Sequence, residues 1–274
     1  MHLAERDERI RAILLQGSRA NNKITPDALQ DFDVLMIVDQ MKCFLDDHQW
    51  TSIFGERVIW QLPDEMKSIG NNEKSNVVFH YLMQFKDGNR IDLTLFPKEK
   101  MKTDFVTDSL SLVWLDKDGL FSGIEPPSDK DYLIRKPVES EFLECCNEFW
   151  WVCTYISKGL RREEITYAKA MMEGPVRQMF MRMIAWYIGV ETEFSVSFGN
   201  EGKMMKKYLD KESYSKILKT YPDYGIKNIW HSLFIMTSLF GKYAVHVSRK
   251  LQFNYNIAEQ VNVEEWLHQQ HESK

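Results

Sequence analysis

Ala12-Ile-Leu-Leu-Gln-Gly-Ser-Arg19 and the segment that answers it, Gln30-Asp-Phe-Asp-Val-Leu-Met-Ile-Val38, decide how this chain is read. The apolar run from Ala12 to Gln16 stops at Gly17 and reads as a buried strand. Phe32 to Val38 reads as a second one. Strand side chains alternate between faces, so Asp31 and Asp33 point one way and Phe32 the other. Two carboxylates held side by side repel, and neither is easily buried alone. A divalent cation removes that conflict. Mg2+ takes a few carboxylate oxygens and leaves its other positions to water and phosphates. Gly17 lets the backbone approach a phosphate closely. The Ser18 hydroxyl and the N–H groups after it can donate to phosphate oxygens, a helix starting there would add its dipole, and Arg19 can neutralise a further charge.

A third acid lies further along. Asp92 sits within Arg90-Ile-Asp-Leu-Thr-Leu-Phe96, a strand expected to be largely buried. Ser75 to Gln84 precedes it, and Lys86-Asp-Gly-Asn89 between them has the Asp-Gly centre of a hairpin turn, so the two strands should pair antiparallel. Asp31, Asp33 and Asp92 are then the parts of a two-metal phosphoryl-transfer site, with Asp92 as ligand of the second ion or as general base. A lone Asp-x-Asp or Gly-Ser is a weak signal; the ordered set is a specific one.

Around this centre the first half reads as mixed α/β. Glu5 to Arg11 is helix-compatible, Arg57 to Trp60 is a further strand, Asp46 to Phe54 is a helix, and another helix starts after Pro97. Gly119, Gly123, Pro126, Pro127 and Pro137 mark a connection. Beyond it the periodicity is helical: Val138 to Lys158, Arg162 to Met172, Pro175 to Glu191, Lys203 to Thr220 and Ile226 to about Lys250. The expected class is α+β, with a mixed-sheet catalytic domain over 1–133 and an all-helical domain over 134–274 that binds substrate and nucleotide.

With 44% hydrophobic and 27% charged residues in 274, the chain has the balance of a folded protein. Its net charge of −5 disfavours non-specific nucleic-acid binding and suits a cationic small molecule. Cys43, Cys145, Cys146 and Cys153 show no metal spacing, and no signal peptide or membrane span is evident, so a reduced, cytoplasmic protein is expected. Oligomeric state is not legible.

The Gly-Ser turn ahead of an Asp-x-Asp strand resembles the signature of the nucleotidyltransferase superfamily. Asp7-Glu-Arg-Ile-Arg11, Gln16-Gly-Ser-Arg19, Gln30-Asp-Phe-Asp33, Phe54-Gly-Glu-Arg57, Asp87-Gly-Asn-Arg-Ile-Asp-Leu-Thr-Leu95, Leu115-Asp-Lys-Asp118 and Cys145-Cys-Asn-Glu-Phe-Trp150 resemble, more narrowly, the aminoglycoside 6-adenylyltransferase family. The likeness runs over nearly the whole chain. It departs at the start, where relatives carry a longer helix before Asp7. The resemblance implies transfer of AMP from ATP to a hydroxyl of streptomycin, with Mg2+ (two ions expected) and release of pyrophosphate. It places the metal on Asp31, Asp33 and Asp92, and the triphosphate on Gly17, Ser18 and Arg19. The competing readings keep the nucleotidyl transfer but change the acceptor, or keep only nucleotide binding.

On the segment from Val138 to Lys158, Phe142, Cys146, Phe149, Cys153, Ile156 and Leu160 form an apolar stripe. Beside it run Glu141, Glu144, Glu148, Trp151, Tyr155 and Lys158, acidic at one end, aromatic in the middle and basic at the other. A solvated face is the bland reading; two aromatic rings in it favour a substrate surface. Glu148, Glu144, Trp151 and Tyr155 are expected to hold a cationic sugar in a cleft between domains, with Lys158 near the triphosphate. Lys203, with Lys206 and Lys207, is a further phosphate candidate; a basic surface turn is the alternative.

Overall fold

The computed structural model describes residues 2–66 and 77–272. A short helix, α1 (His2–Arg6), leads into β1 (Ile10–Gln16). The expected helix over Glu5–Arg11 is cut short at Asp7, whose carboxylate accepts from the backbone and guanidinium N–H groups of Arg9 and turns the chain into the strand. A turn and loop then reach β2 (Phe32–Val38). The helix expected over Asp46–Phe54 is replaced by one short turn, α2 (Lys42–Leu45), and a 3-10 segment, His48–Phe54. Asp47 starts that segment afresh by capping the Gln49 N–H, and the Trp50 indole donates back to the Phe44 carbonyl, so no single helix runs through.

Next come β3 (Arg57–Gln61), β4 (Phe79–Phe85) and β5 (Arg90–Pro97). Ser75 and Asn76 of the expected strand lie outside the described residues. The hairpin is present: β4 and β5 pair antiparallel across Gly88, which has φ +91°. After Pro97 there is only a 3-10 turn, Lys98–Lys100, in place of the expected helix. The Thr103-Asp104-Phe105-Val106-Thr107 stretch is poor in helix formers, and Phe105 instead packs edge-on against Phe96 and Phe121. An unexpected sixth strand, β6 (Ser111–Asp116), closes the sheet.

The strand order is β3-β4-β5-β2-β1-β6. Every neighbouring pair is antiparallel except β2 and β5, which run parallel at the centre. The pleat sorts the side chains. Ile13, Met36, Val38, Tyr81, Met83, Leu93 and Leu95 bury themselves on one face with Phe44. Ala12, Leu14, Leu35, Ile37 and Phe96 bury themselves on the other with Phe121. Asp33, two residues before Leu35, belongs to this second face.

The remaining elements are helical: α3 (Glu139–Arg161), α4 (Ile165–Met171), a π-helical turn (Met172–Val176), α5 (Arg177–Glu191), α6 (Lys211–Leu218), α7 (Ile226–Leu251) and α8 (Ile257–Glu272). The segment expected as one helix from Lys203 is broken, because Asp210 accepts from the Ser213 N–H and starts α6 there. Helix α8 was not expected. Phe149 of α3 and Phe240 of α7 stack face to face with ring centroids 3.6 Å apart, at the centre of one continuous helical core. Cys145, Cys146 and Cys153 are buried free thiols in it, and burial pushes the Cys145 thiol up to about 12. The chain divides into two compact units, Met1–Asp131 and Tyr132–Lys274, each with its own core. Among the described residues no helix is long and apolar enough to cross a membrane.

Candidate active site

Gly17 follows β1 with φ +66°, in the left-handed region that favours glycine. A Cβ at this position would lie well inside contact with Asp33 Oδ2, and 3.1 Å from Asp33 Cγ. The glycine therefore admits the Asp33 carboxylate, a requirement added to the phosphate approach expected from sequence. Gly17–Arg19 is a single 3-10 turn and no α-helix begins there, so the expected helix dipole is not part of the site. The chain instead opens into a loop that returns to β2.

Arg19 serves that loop. Its guanidinium donates to the backbone carbonyls of Gln30 (2.8 Å) and Asp31 (3.1 Å) and lies 3.7 Å over the Phe32 ring. These bonds hold the entry to the Asp-x-Asp segment, where sequence suggested a phosphate contact. The Gln30 amide donates to the Ser18 carbonyl, which ties the turn to the same loop.

Asp31 stands one residue before β2 and Asp33 within it. In the register of the sheet Asp33 lies beside Asp92 of β5 on one side and beside Gln16 of β1 on the other. Residues in register on neighbouring strands project to the same face, so Asp33 and Asp92 stand side by side. Arg90, not among the candidates expected from the sequence, joins these acids. Its Nε and Nη2 donate to the two Asp92 oxygens, 2.8 Å each, and Nε stands 3.6 Å from Asp31 Oδ2. These bonds, with the negative charge around them, hold the Arg90 guanidinium above its usual pKa. The signal was available, since residues 90 and 92 share a strand face. Among the described residues no three acid, histidine or cysteine side chains converge as a ready-made metal cage. The three carboxylates are hard oxygen donors, Asp33 lies against the Gly17 turn, and Arg90 already pairs with Asp92 and approaches Asp31, so the donor chemistry suits a hard cation such as Mg2+.

In the helical unit, the stripe on α3 sits as its spacing requires. Phe142, Cys146, Phe149, Cys153, Ile156 and Leu160 are buried. Glu144, Glu148, Trp151 and Lys158 are exposed, with Trp151 at 59%. The Trp151 indole donates to the Tyr155 hydroxyl at 2.7 Å, and Lys158 Nζ lies 5.6 Å from the Tyr155 ring centre. Glu141 is committed to the helix start, where it accepts from the Val138 N–H and from Arg135. Glu144 lines a recess of about 740 Å³ with Arg182 and Trp186. Lys203 is exposed after the Asn200–Gly202 turn, and Lys206 and Lys207 lie on the next one.

The sequence matches the profile of the streptomycin adenylyltransferase family over residues 1–270. It is 39% identical over 260 residues to the aminoglycoside 6-adenylyltransferase of Bacillus subtilis (strain 168), covering 93% of this chain and 89% of that protein. The Campylobacter jejuni protein of the same name is 40% identical over 255 residues, covering 93% and 88%. The Staphylococcus aureus one is 34% identical over 265 residues, covering 96% and 93%. The structure is similar to the crystal structure of an aminoglycoside 6-adenyltransferase from Bacillus subtilis, with TM-score 0.51 and 34% identity, over 99% of this chain and 95% of that one. The α+β class read from the sequence is thus the class of a solved relative, and the chain belongs to the streptomycin adenylyltransferase family and is a nucleotidyltransferase.

Proposed function

We propose that this enzyme transfers AMP from ATP to a hydroxyl of an aminoglycoside, with streptomycin the expected acceptor, and releases pyrophosphate. The observation that carries the reading is the row formed by Asp33 and Asp92 on adjacent parallel strands, opened to the Gly17 turn by the missing side chain. Asp31 and Asp33 would hold Mg2+, with Asp92 reaching a second ion. Bound there, the metal supplies neutralising charge to phosphate oxygens. The Ser18 hydroxyl and the N–H groups of the turn bind the triphosphate, with Lys158 and Lys203 as further phosphate contacts. If Asp92 does not reach a second ion, it instead receives the proton of the acceptor hydroxyl as general base. The acceptor oxygen forms its bond to the α-phosphorus as the bond to the pyrophosphate oxygen breaks, and the negative charge leaves with pyrophosphate. Most of the rate comes from positioning and charge neutralisation.

In this reading residues 1–133 hold the chemistry and residues 134–274 recognise the acceptor. Glu144 and Glu148 pair with cationic groups of the sugar, and the rings of Trp151 and Tyr155 add apolar and cation–π contact. The reaction takes place in the cytoplasm, where ATP is supplied, and the adenylylated drug no longer acts as an antibiotic.

The deciding experiment is pyrophosphate release with ATP and Mg2+, with and without streptomycin, and with Asp33→Ala alongside. Release that needs both streptomycin and Asp33 is expected. ATP binding that depends on metal, without release, would reopen the acceptor. Release unchanged in Asp33→Ala would remove the metal role.

A further inference from the structure

Arg90 opens β5 two residues before Asp92, so the pleat sets both side chains on one face. A guanidinium fork matches a carboxylate through two parallel bonds and fixes its plane, which a lysine cannot do. Arg90 grips Asp92 in this way and also stands 3.6 Å from Asp31. The side chain is 42% exposed, so the head has open water to swing into. One cation therefore answers to the carboxylates assigned above to Mg2+.

We propose that Arg90 is a positioning residue that shares the acid row with the divalent ion: it fixes the plane of the Asp92 carboxylate, and metal entry displaces its guanidinium from Asp31. The proposal rests on the assignment of Asp31, Asp33 and Asp92 as the metal site. Protein cation and metal ion draw on the same oxygens, so each weakens the hold of the other. Removing Arg90 should tighten metal binding and at the same time slow the reaction, because Asp92 loses its orientation. A residue that merely stabilises the sheet would do neither in that combination.

The test is equilibrium binding of Mn2+ to the whole enzyme without nucleotide, read by electron paramagnetic resonance of the free ion. Wild type, Arg90→Met, Arg90→Lys and Asp33→Ala are compared, each checked for folding by circular dichroism; Arg90→Gln replaces the methionine variant if that one fails to fold. The neutral variant should bind Mn2+ on the order of tenfold more tightly than wild type. The lysine variant keeps the charge and should stay near wild type in Mn2+ affinity. Both should lose kcat, with KM for ATP changed far less, because neither has the fork. Mn2+ affinity in the neutral variant equal to or weaker than wild type overturns the proposal, as does a lysine variant with full kcat. If Asp33→Ala abolishes Mn2+ binding in that case, the metal site stands and only the role of Arg90 falls. If Asp33→Ala binds Mn2+ as well as wild type, the metal assignment itself fails and the proposal goes with it.

Discussion

At Gly17 two constraints meet: a backbone in the left-handed region and an Asp33 carboxylate where a side chain would begin. Gly17→Ala has to bear the conformational cost of roughly 1–2 kcal/mol and an overpacking cost of about 1–3 kcal/mol. The melting temperature should fall by roughly 5–10 °C. Activity should fall further than stability alone requires, by about 100-fold, if Asp33 holds the metal as proposed, because its displacement would misplace that ion. Differential scanning calorimetry beside pyrophosphate release checks this; a destabilised variant with full activity would show that the close approach serves only packing. The strands that carry Asp33 and Asp92 were legible from their apolar runs. The bonds of Arg19 to its loop were not legible, since the carbonyls of Gln30 and Asp31 that it meets are brought to it by the returning chain. Arg90 was passed over although it shares a strand face with Asp92, because a charged residue at a strand start is ordinarily a solvated end.

Strands were more legible than helices in the first unit. Apolar runs such as Phe32–Val38 leave a strand little alternative, whereas the 3-10 segment His48–Phe54 depends on one cap and one indole bond. The strand β6 went unseen because Ser111-Leu-Val-Trp-Leu-Asp116 is half exposed and lacks a clean alternation. Its far end carries an ion cluster: Arg11 of β1 pairs with Asp118, Lys98 stands 2.8 Å from the same carboxylate, and both cations hold the Asp118 pKa far below the usual carboxylate range. A carboxyl depressed on folding stabilises fully above its unfolded value, about pH 4, and that contribution drains away as pH falls toward the folded value. Asp118→Asn should therefore lower the melting temperature at pH 7, and the gap to wild type should close steadily below about pH 4. A gap independent of pH would mean that shape, not charge, ties these strand ends. Between α4 and α5, the buried Arg177 donates to Glu173, to the Thr220 hydroxyl and carbonyl, and lies 3.8 Å over the Tyr221 ring. It fastens the π-helical turn to the end of α6. Arg177→Met leaves those acceptors without a donor and should cost about 2–4 kcal/mol in urea unfolding, with the slope unchanged.

For the molecule as a whole, the fold class was legible because the chain changes its hydrophobic period once, from strand-like to helical, across the Gly- and Pro-rich connection. What periodicity alone could not supply was the sheet order, since the parallel β2–β5 pair is a matter of topology. The helical unit closes its core from Ile134 to Leu267 within itself. Residues 132–274 expressed alone should accordingly fold, with a helical circular-dichroism spectrum and a cooperative melt. A broad, non-cooperative melt would show that this core is completed only within the full chain.

The Trp151–Tyr155 ladder also has an optical consequence. Of the eight tryptophans, Trp151 is the most exposed, with Trp114 next at 38% and the others wholly or partly buried. Its indole meets water on one side and a hydroxyl on the other. The red edge of the intrinsic fluorescence therefore belongs mainly to this ring, and a cationic ligand resting on α3 announces itself in the emission colour without any added label.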